Sequence, residues 1–158
     1  MRNHAPLLRA VLAALRRTVP FTCVEDWARE SQYDTTALYE AWNGIVGSTG
    51  PTPKEFIDAL LLMYALQHKV SNVGWAARLC GLGVSKARLD DIATRFGLPD
   101  VDALVRSDVF QFVEFFEERM VAQALAPIAA ARRKRRGRPP RTKTDRQTDR
   151  QTVESAGN

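Results

Sequence analysis

Residues 54 to 68 read KEFIDALLLMYALQH, and this stretch decides the fold. Its apolar residues cover most of a helical surface, which is typical of a helix buried on more than one side. Pro51 and Pro53 stand just before it, and proline suits the first turn of a helix. We therefore expect a long central helix that the rest of the chain covers.

Helical spacing of apolar residues continues on both sides of this stretch, and no run of alternating β-branched residues appears, so we predict an all-α fold. A first stripe, which Pro20 ends, consists of Leu7, Leu8, Val11, Leu12 and Leu15. Asp34 is suited to cap TTALYEAWN, and the glycine-rich GIVGSTG after it is expected to be a loop. Ser85 is suited to cap KARLDDIATRF, and a last helix is expected from Asp102 to Leu125.

The segments flanking the central helix repeat one pattern, a short helix, a tight turn and a second, capped helix. In the first half the pattern comprises Val24, Trp27 and Ala28, then Asp34, Leu38 and Trp42. In the second half it comprises Val73, Ala76 and Ala77, then Ser85, Leu89 and Ile92. Such a repeat predicts two helix-turn-helix motifs, in which one face of each second helix is buried and the other is free.

The repeat and its linker resemble the AraC/XylS-type DNA-binding domain, over residues 20 to 100. The linker carries the clearest likeness, in Pro53, Phe56, Ile57, Leu62 and Ala65, followed by Val73, Ala77 and Gly81. The chain departs from the family at Leu61, Leu89 and Ile92, and no β-rich effector domain precedes the motifs. The resemblance is therefore to small, stand-alone members, and it implies two motifs joined by a long central helix.

The resemblance implies that each second helix enters a major groove of DNA. The candidate contacts are Thr35, Thr36, Tyr39 and Asn43 on the first, and Lys86, Ala87, Asp90 and Thr94 on the second, flanked by Arg88 and Arg95. Hydroxyl and amide groups read base edges, and a lysine or arginine reaches guanine or phosphate. Asp90 and Asp91 oppose this interpretation because phosphates repel carboxylates. The alternative is that these are ordinary solvated helix faces.

The helix SDVFQFVEFFEERMVAQAL places one apolar stripe on Val109, Phe112 or Val113, Phe116 and Met120, while Phe110 and Phe115 point elsewhere. Apolar residues therefore cover a wider part of this helix than a single face packed against a core requires. The helix either packs under the second motif and against the N-terminal helix, or offers part of its surface to a second copy, RNA polymerase or another protein. Trp27, Trp42 and Trp75 are expected in the core.

Residues 131 to 158 hold ten basic and three acidic residues, a formal charge of +7, whereas residues 1 to 130 carry −2. We expect residues 128 to 158 to be disordered in isolation because they lack apolar periodicity. RGRP, at 136 to 139, resembles the AT-hook core, which lies in narrow A·T minor grooves. An electrostatic arm is the alternative. The candidate contacts are Arg132, Arg133, Lys134, Arg135, Arg136, Gly137, Arg138 and Pro139.

Four segments follow: an N-terminal helix at 1 to 19, the double motif at 20 to 100, a Phe-rich helix at 101 to 127 and the basic tail at 128 to 158. The N-terminus is interpreted as an ordinary helix because arginines interrupt its apolar run. Neither the two histidines, His4 and His68, nor the distant Cys23 and Cys80 form a catalytic or metal-ligand pattern. No apolar run is long enough to span a membrane. We expect no enzymatic activity, cofactor or metal.

Together these features predict a sequence-specific transcriptional regulator that binds double-stranded DNA in the bacterial cytoplasm, at the nucleoid. The alternative is a helical protein-interaction module with a tail that binds nucleic acid without specificity.

Overall fold

The computed structural model describes residues 5 to 70, 81 to 102 and 109 to 133. These residues form helices joined by turns, with no strand among them, which confirms the all-α prediction. The helices are α1 (Ala5–Arg16), α2 (Val24–Glu30), α3 (Thr35–Val46), α4 (Pro53–Val70), α5 (Lys86–Arg95), α6 (Val109–Phe115) and α7 (Ala126–Arg133); a π-helical segment, Phe116–Leu125, joins α6 to α7. The helix expected over 73 to 79, with Trp75, lies outside the described residues.

Helix α4 is central, as its composition predicts, and it contacts α2, α3 and α5. Its first turn is fixed by a capping box: the Thr52 N–H donates to Glu55 Oε2 at 2.7 Å, and the Glu55 N–H donates to Thr52 Oγ1 at 3.2 Å. The Glu55 carboxylate also accepts from Arg119 of the π-helical segment at 2.9 Å. Glu55 thus caps the start of α4 and also ties α4 to the π-helical segment.

The core is built around three aromatic rings. Phe56 of α4 lies 5.4 Å from Trp27 and 5.5 Å from Trp42, and the two indoles meet edge to face at 5.9 Å. Both indole N–H groups are satisfied in the interior, Trp27 by the Ala10 carbonyl at 3.1 Å and Trp42 by the Pro51 carbonyl at 2.6 Å. The core role expected of these two tryptophans is confirmed.

Helix α3 ends at Val46, three residues later than its sequence predicts. Gly44 lies within the helix, and the half-buried Ile45 and Val46 extend its packing surface. Gly47 ends the helix because its φ of +83° lies in the left-handed region that glycine adopts without strain. Apolar contacts therefore outweighed the weak helix propensity of Gly44.

The C-terminal helix also continues past Leu125, where the sequence predicts its end, and past Pro127, the boundary predicted for the Phe-rich segment. Helix α7 runs to Arg133, packs against α1 and α3, and places Ile128 in the core with no exposed surface. The expectation that residues 128 to 133 belong to a disordered tail is therefore wrong. The π-helical turn explains how Pro127 is accommodated: the Ala126 N–H bonds to the Val121 carbonyl five residues back, which widens the turn just before the proline ring.

Candidate nucleic-acid interface

Helix α3 is fixed at its start and along its inner face, so the orientation of its outer face is determined. The Asp34 carboxylate accepts hydrogen bonds from the N–H groups of Thr36 at 2.9 Å and Ala37 at 3.4 Å, as an N-cap does. Leu38 and Trp42 are fully buried beneath it. Side chains on the opposite face therefore point away from the core in a defined register.

The four candidates on α3 do not share one environment. Thr36 and Asn43 are exposed, Thr35 is half-buried, and Tyr39 lines a cavity of about 110 Å³ at the side of the helix. Burial raises the pKa of Tyr39, and the negative charges of Glu25 and Asp58 raise it further. Thr36 and Asn43 are thus open to a base edge, whereas Tyr39 is partly turned towards the protein.

Lys86, the first residue of α5, is exposed, but its charge is matched within the protein. Its ammonium lies 2.9 Å from Asp90 and 3.4 Å from Asp102. The hydrogen bond to Asp90 raises the pKa of Lys86 above its ordinary value of 10.5. A phosphate approaching Lys86 would therefore meet two carboxylates as well as the ammonium.

The two arginines of α5 also bond to the protein. Arg88 is half-buried, and its guanidinium donates to the carbonyl of Thr22, just before α2. Arg95 pairs with Asp58 of α4 at 3.0 Å. The expectation that both flank an outward DNA-reading face is corrected for Arg88, which points inward. Arg95 is 45% exposed but anchored at its tip.

Asp58 was not among the residues expected to matter, and it is the one buried charged side chain of the described residues, at 1% exposure. Its Oδ2 lies 3.0 Å from Arg95 but makes no hydrogen bond of good geometry. Burial raises the pKa of Asp58, against the opposing charges of Arg95, Lys54 and Arg88. A lone carboxylate in the apolar run FIDALLL was the signal available in the sequence.

Of the other α5 candidates, Ala87 and Thr94 are exposed, and the Thr94 hydroxyl donates to the Asp90 carbonyl at 2.9 Å. Asp90 is half-buried and accepts from the Val101 N–H at 3.0 Å. The three basic candidates of α5 thus all contact other groups of the chain, most of them on other parts of the molecule.

In the basic segment, Arg132 and Arg133 are the last two residues of α7. Lys134, Arg135, Arg136, Gly137, Arg138 and Pro139 lie outside the described residues. The basic run therefore starts within a packed helix, on the side of the molecule where α7 meets α1 and α3.

Comparison with family models, curated protein sequences and solved structures finds no match to this chain. Its function must therefore be inferred from its own residues. Within the described ranges, no helix is long and apolar enough to cross a membrane. The same ranges contain no group of three or more histidine, cysteine or acidic residues arranged to hold a metal ion.

Proposed function

We propose that the chain is a sequence-specific DNA-binding transcriptional regulator, in which α2 and α3 form a helix-turn-helix motif and α3 reads the major groove. The observation that carries this proposal is the α2–α3 pair itself. The two helices are in contact and are joined by residues 31 to 34, where Gln32 adopts a left-handed φ of +59°. The second helix is capped by Asp34 and leaves Thr36 and Asn43 exposed in a fixed register.

The proposal assigns base reading mainly to α3. Asparagine pairs with adenine through two hydrogen bonds, and threonine offers both a hydroxyl and a methyl group. Helix α5, the proposed counterpart in an AraC/XylS-like second motif, would contribute less, because its cations are already paired. The −2 charge of residues 1 to 130 gives no general attraction to DNA, so the basic residues from Arg132 onward would supply the phosphate contacts.

The test is a selection of binding sites from a random duplex library with the full chain. We expect an enriched base sequence, and we expect the double variant Thr36→Ala, Asn43→Ala to lose discrimination by about 1 to 3 kcal/mol for each lost base contact. The matched control is Ser48→Ala, Thr49→Ala, which alters two exposed residues of the following loop. A library without enrichment, or equal losses for both double variants, would overturn the proposal.

A second candidate function is a helical protein-interaction module, favoured by the internal pairing of every basic candidate on α5. Cations that face other groups of the same chain are weak phosphate ligands. Recovery of a stoichiometric protein partner with the full chain, together with DNA affinity that does not depend on base sequence, would favour this candidate.

A further inference from the structure

A broad groove of about 680 Å³ lies between α1, α4 and the C-terminal helix. Its volume falls within the range of about 300 to 1,000 Å³ that is usual for small-molecule sites. Most of its lining is apolar, and four of the lining side chains are each about two-fifths exposed: Leu15 (40%), Met63 (41%), Val113 (42%) and Val121 (40%). Exposed apolar side chains gathered in one depression mark a surface that a ligand or a partner covers.

Aromatic residues contribute to the lining from two sides of the groove. Tyr64 belongs to α4, whereas Phe112 and Phe116 belong to the C-terminal helix, with ring centres 6.3 Å apart. Aromatic rings pack against bulky apolar groups, and the face of a ring also attracts a positive charge. The lining is therefore suited to an apolar ligand that carries a cation.

The groove holds one charge that the protein does not compensate. Glu117 lines it and is exposed, and no hydrogen bond or ion pair joins Glu117 to any residue that the structure describes. Among the described residues that line the groove, Arg17 is the one with a basic side chain, and Glu30 matches its charge at 2.5 Å. The Arg17 guanidinium also donates to the Val19 carbonyl at 3.0 Å, and neither Glu30 nor Val19 lines the groove. The uncompensated charge at the groove is therefore negative.

We propose that this groove binds a small lipophilic organic cation, whose apolar groups cover the exposed lining and whose positive charge lies beside Glu117. An anion of the same shape would be repelled by Glu117, and a small polar cation would leave the apolar side chains uncovered. The basic tail of this chain has the charge but not the apolar surface, because residues 134 to 152 contain no alanine, valine, leucine, isoleucine, methionine or aromatic residue.

The test is isothermal titration calorimetry of the full chain with tetraphenylphosphonium, a bulky apolar cation, in the absence of DNA. We expect one cation to bind per chain, and we expect no binding of tetramethylammonium, which carries the same charge with little apolar surface. None of the DNA-binding candidates lines the groove, so failure of the proposed DNA-binding function would leave this result unchanged. A chain that does not bind tetraphenylphosphonium, or that binds both cations equally, would overturn the proposal.

The role of Glu117 is tested by a matched pair of substitutions. Glu117→Gln should raise the dissociation constant of tetraphenylphosphonium about fivefold, the effect of losing an exposed ion pair. Glu118→Gln removes the same charge from an exposed neighbour that does not line the groove, and it should leave the dissociation constant unchanged. Equal effects of the two substitutions would show that only the net charge of the chain attracts the cation, contrary to the proposal.

A gain of affinity makes the test independent of any folding defect. Gln67 of α4 also lines the groove, and Gln67→Glu adds a carboxylate there with little change in side-chain size. This substitution should lower the dissociation constant about fivefold, and Gln67→Glu combined with Glu117→Gln should bind within about twofold of the wild type. Absence of this gain would contradict the proposal. So would a dimer, detected by sedimentation equilibrium, that tetraphenylphosphonium dissociates, because a second copy would then be the occupant.

Discussion

Helices α3 and α5, which the sequence repeat predicts to be corresponding second helices, both bury apolar residues, but they differ in their polar contacts and in what they expose. Apolar contacts with α4, the π-helical segment and α7 hold α3, and its outer face carries the exposed Thr36 and Asn43. Helix α5 also buries an apolar face, and it is tied further to its surroundings through Lys86, Arg88 and Arg95. Similar sequence patterns therefore gave one helix with exposed Thr36 and Asn43 and one whose three cations each contact another group of the chain.

The largest expected effect concerns the apolar support of α3. A chain cut after Pro127 loses α7, and the loss of Ile128 from the core alone should reduce the free energy of unfolding by about 2 to 5 kcal/mol. A chain cut after Arg133 keeps the packed helix and should change by no more than about 0.5 kcal/mol. Urea unfolding followed by circular dichroism measures both, and equal midpoints for the two chains would show that α7 does not support α3.

The next effect concerns the ionic support of α5. Arg95→Ala leaves the Asp58 carboxylate buried without its partner, and we expect a loss of about 1 to 3 kcal/mol, less than for a fully buried pair because Arg95 is 45% exposed. Adding Asp58→Asn should recover at least half of this loss, since the amide carries no charge. If Arg95→Ala and the wild type unfold at the same urea concentration, the Arg95–Asp58 pair contributes nothing to the free energy of unfolding. Helix α5 would then not differ from α3 in its dependence on an ion pair.

A smaller effect, on DNA affinity, is expected when Lys86 loses its two carboxylate partners. The double variant Asp90→Asn, Asp102→Asn removes both carboxylates near the ammonium, while the amide introduced at position 90 keeps an oxygen for the Val101 N–H. DNA affinity should rise, and the slope of log K against log salt should steepen by about 0.9 if Lys86 then contacts one phosphate. Titrations of a fixed duplex at several salt concentrations measure the slope. An unchanged slope would mean that α5 does not face the DNA backbone at all.

The smallest effect is a pH dependence with opposite signs at two carboxyls near α5. Burial raises the pKa of Asp58 above its ordinary 3.8, so its stabilising contribution is complete below that value and is lost as pH rises through its native pKa. The Val101 N–H and then Lys86 lower the pKa of Asp90, so its contribution is present above 3.8 and is lost as pH falls through its native pKa.

Unfolding free energies measured against pH for Asp58→Asn and Asp90→Asn separate the two carboxyls. The first substitution should remove a decline in stability as pH rises above 3.8, and the second should remove a gain that develops as pH rises towards 3.8. If both substitutions change the pH dependence of the unfolding free energy in the same direction, the opposite pKa shifts assigned to Asp58 and Asp90 are wrong.

Most of the fold was predictable because its signals are local. Asp34 and Ser85 cap their helices as expected, and the apolar composition of α4 indicated its central place. The end of the C-terminal helix was not predictable, since Pro127 and the basic residues after it are typical of a helix terminus. Only the packing of Ile128 against other elements shows that the helix continues.

The candidate site was predictable in part. Thr36 and Asn43 are exposed because their positions on α3 follow from helical spacing relative to Leu38 and Trp42. The inward orientation of Arg88 depends on Thr22, 66 residues away, and the pairing of Arg95 depends on a carboxylate on another helix. Partners so distant in sequence leave no periodic pattern, so residue type alone suggested DNA contacts for both arginines.

The packing of α7 sets how far the basic residues can reach. Helix α7 packs against α1 and α3 and ends at Arg133, and the chain length allows positions 134 to 138 to lie at most about 17 Å from that end. If α3 docks on DNA as proposed, this bound gives the basic side chains at 134 to 138 a high effective concentration at phosphates near the end of α7. Phosphates beyond the combined reach of this backbone and its long side chains could not be contacted by residues 134 to 138, so α3 and these residues would occupy one continuous stretch of duplex.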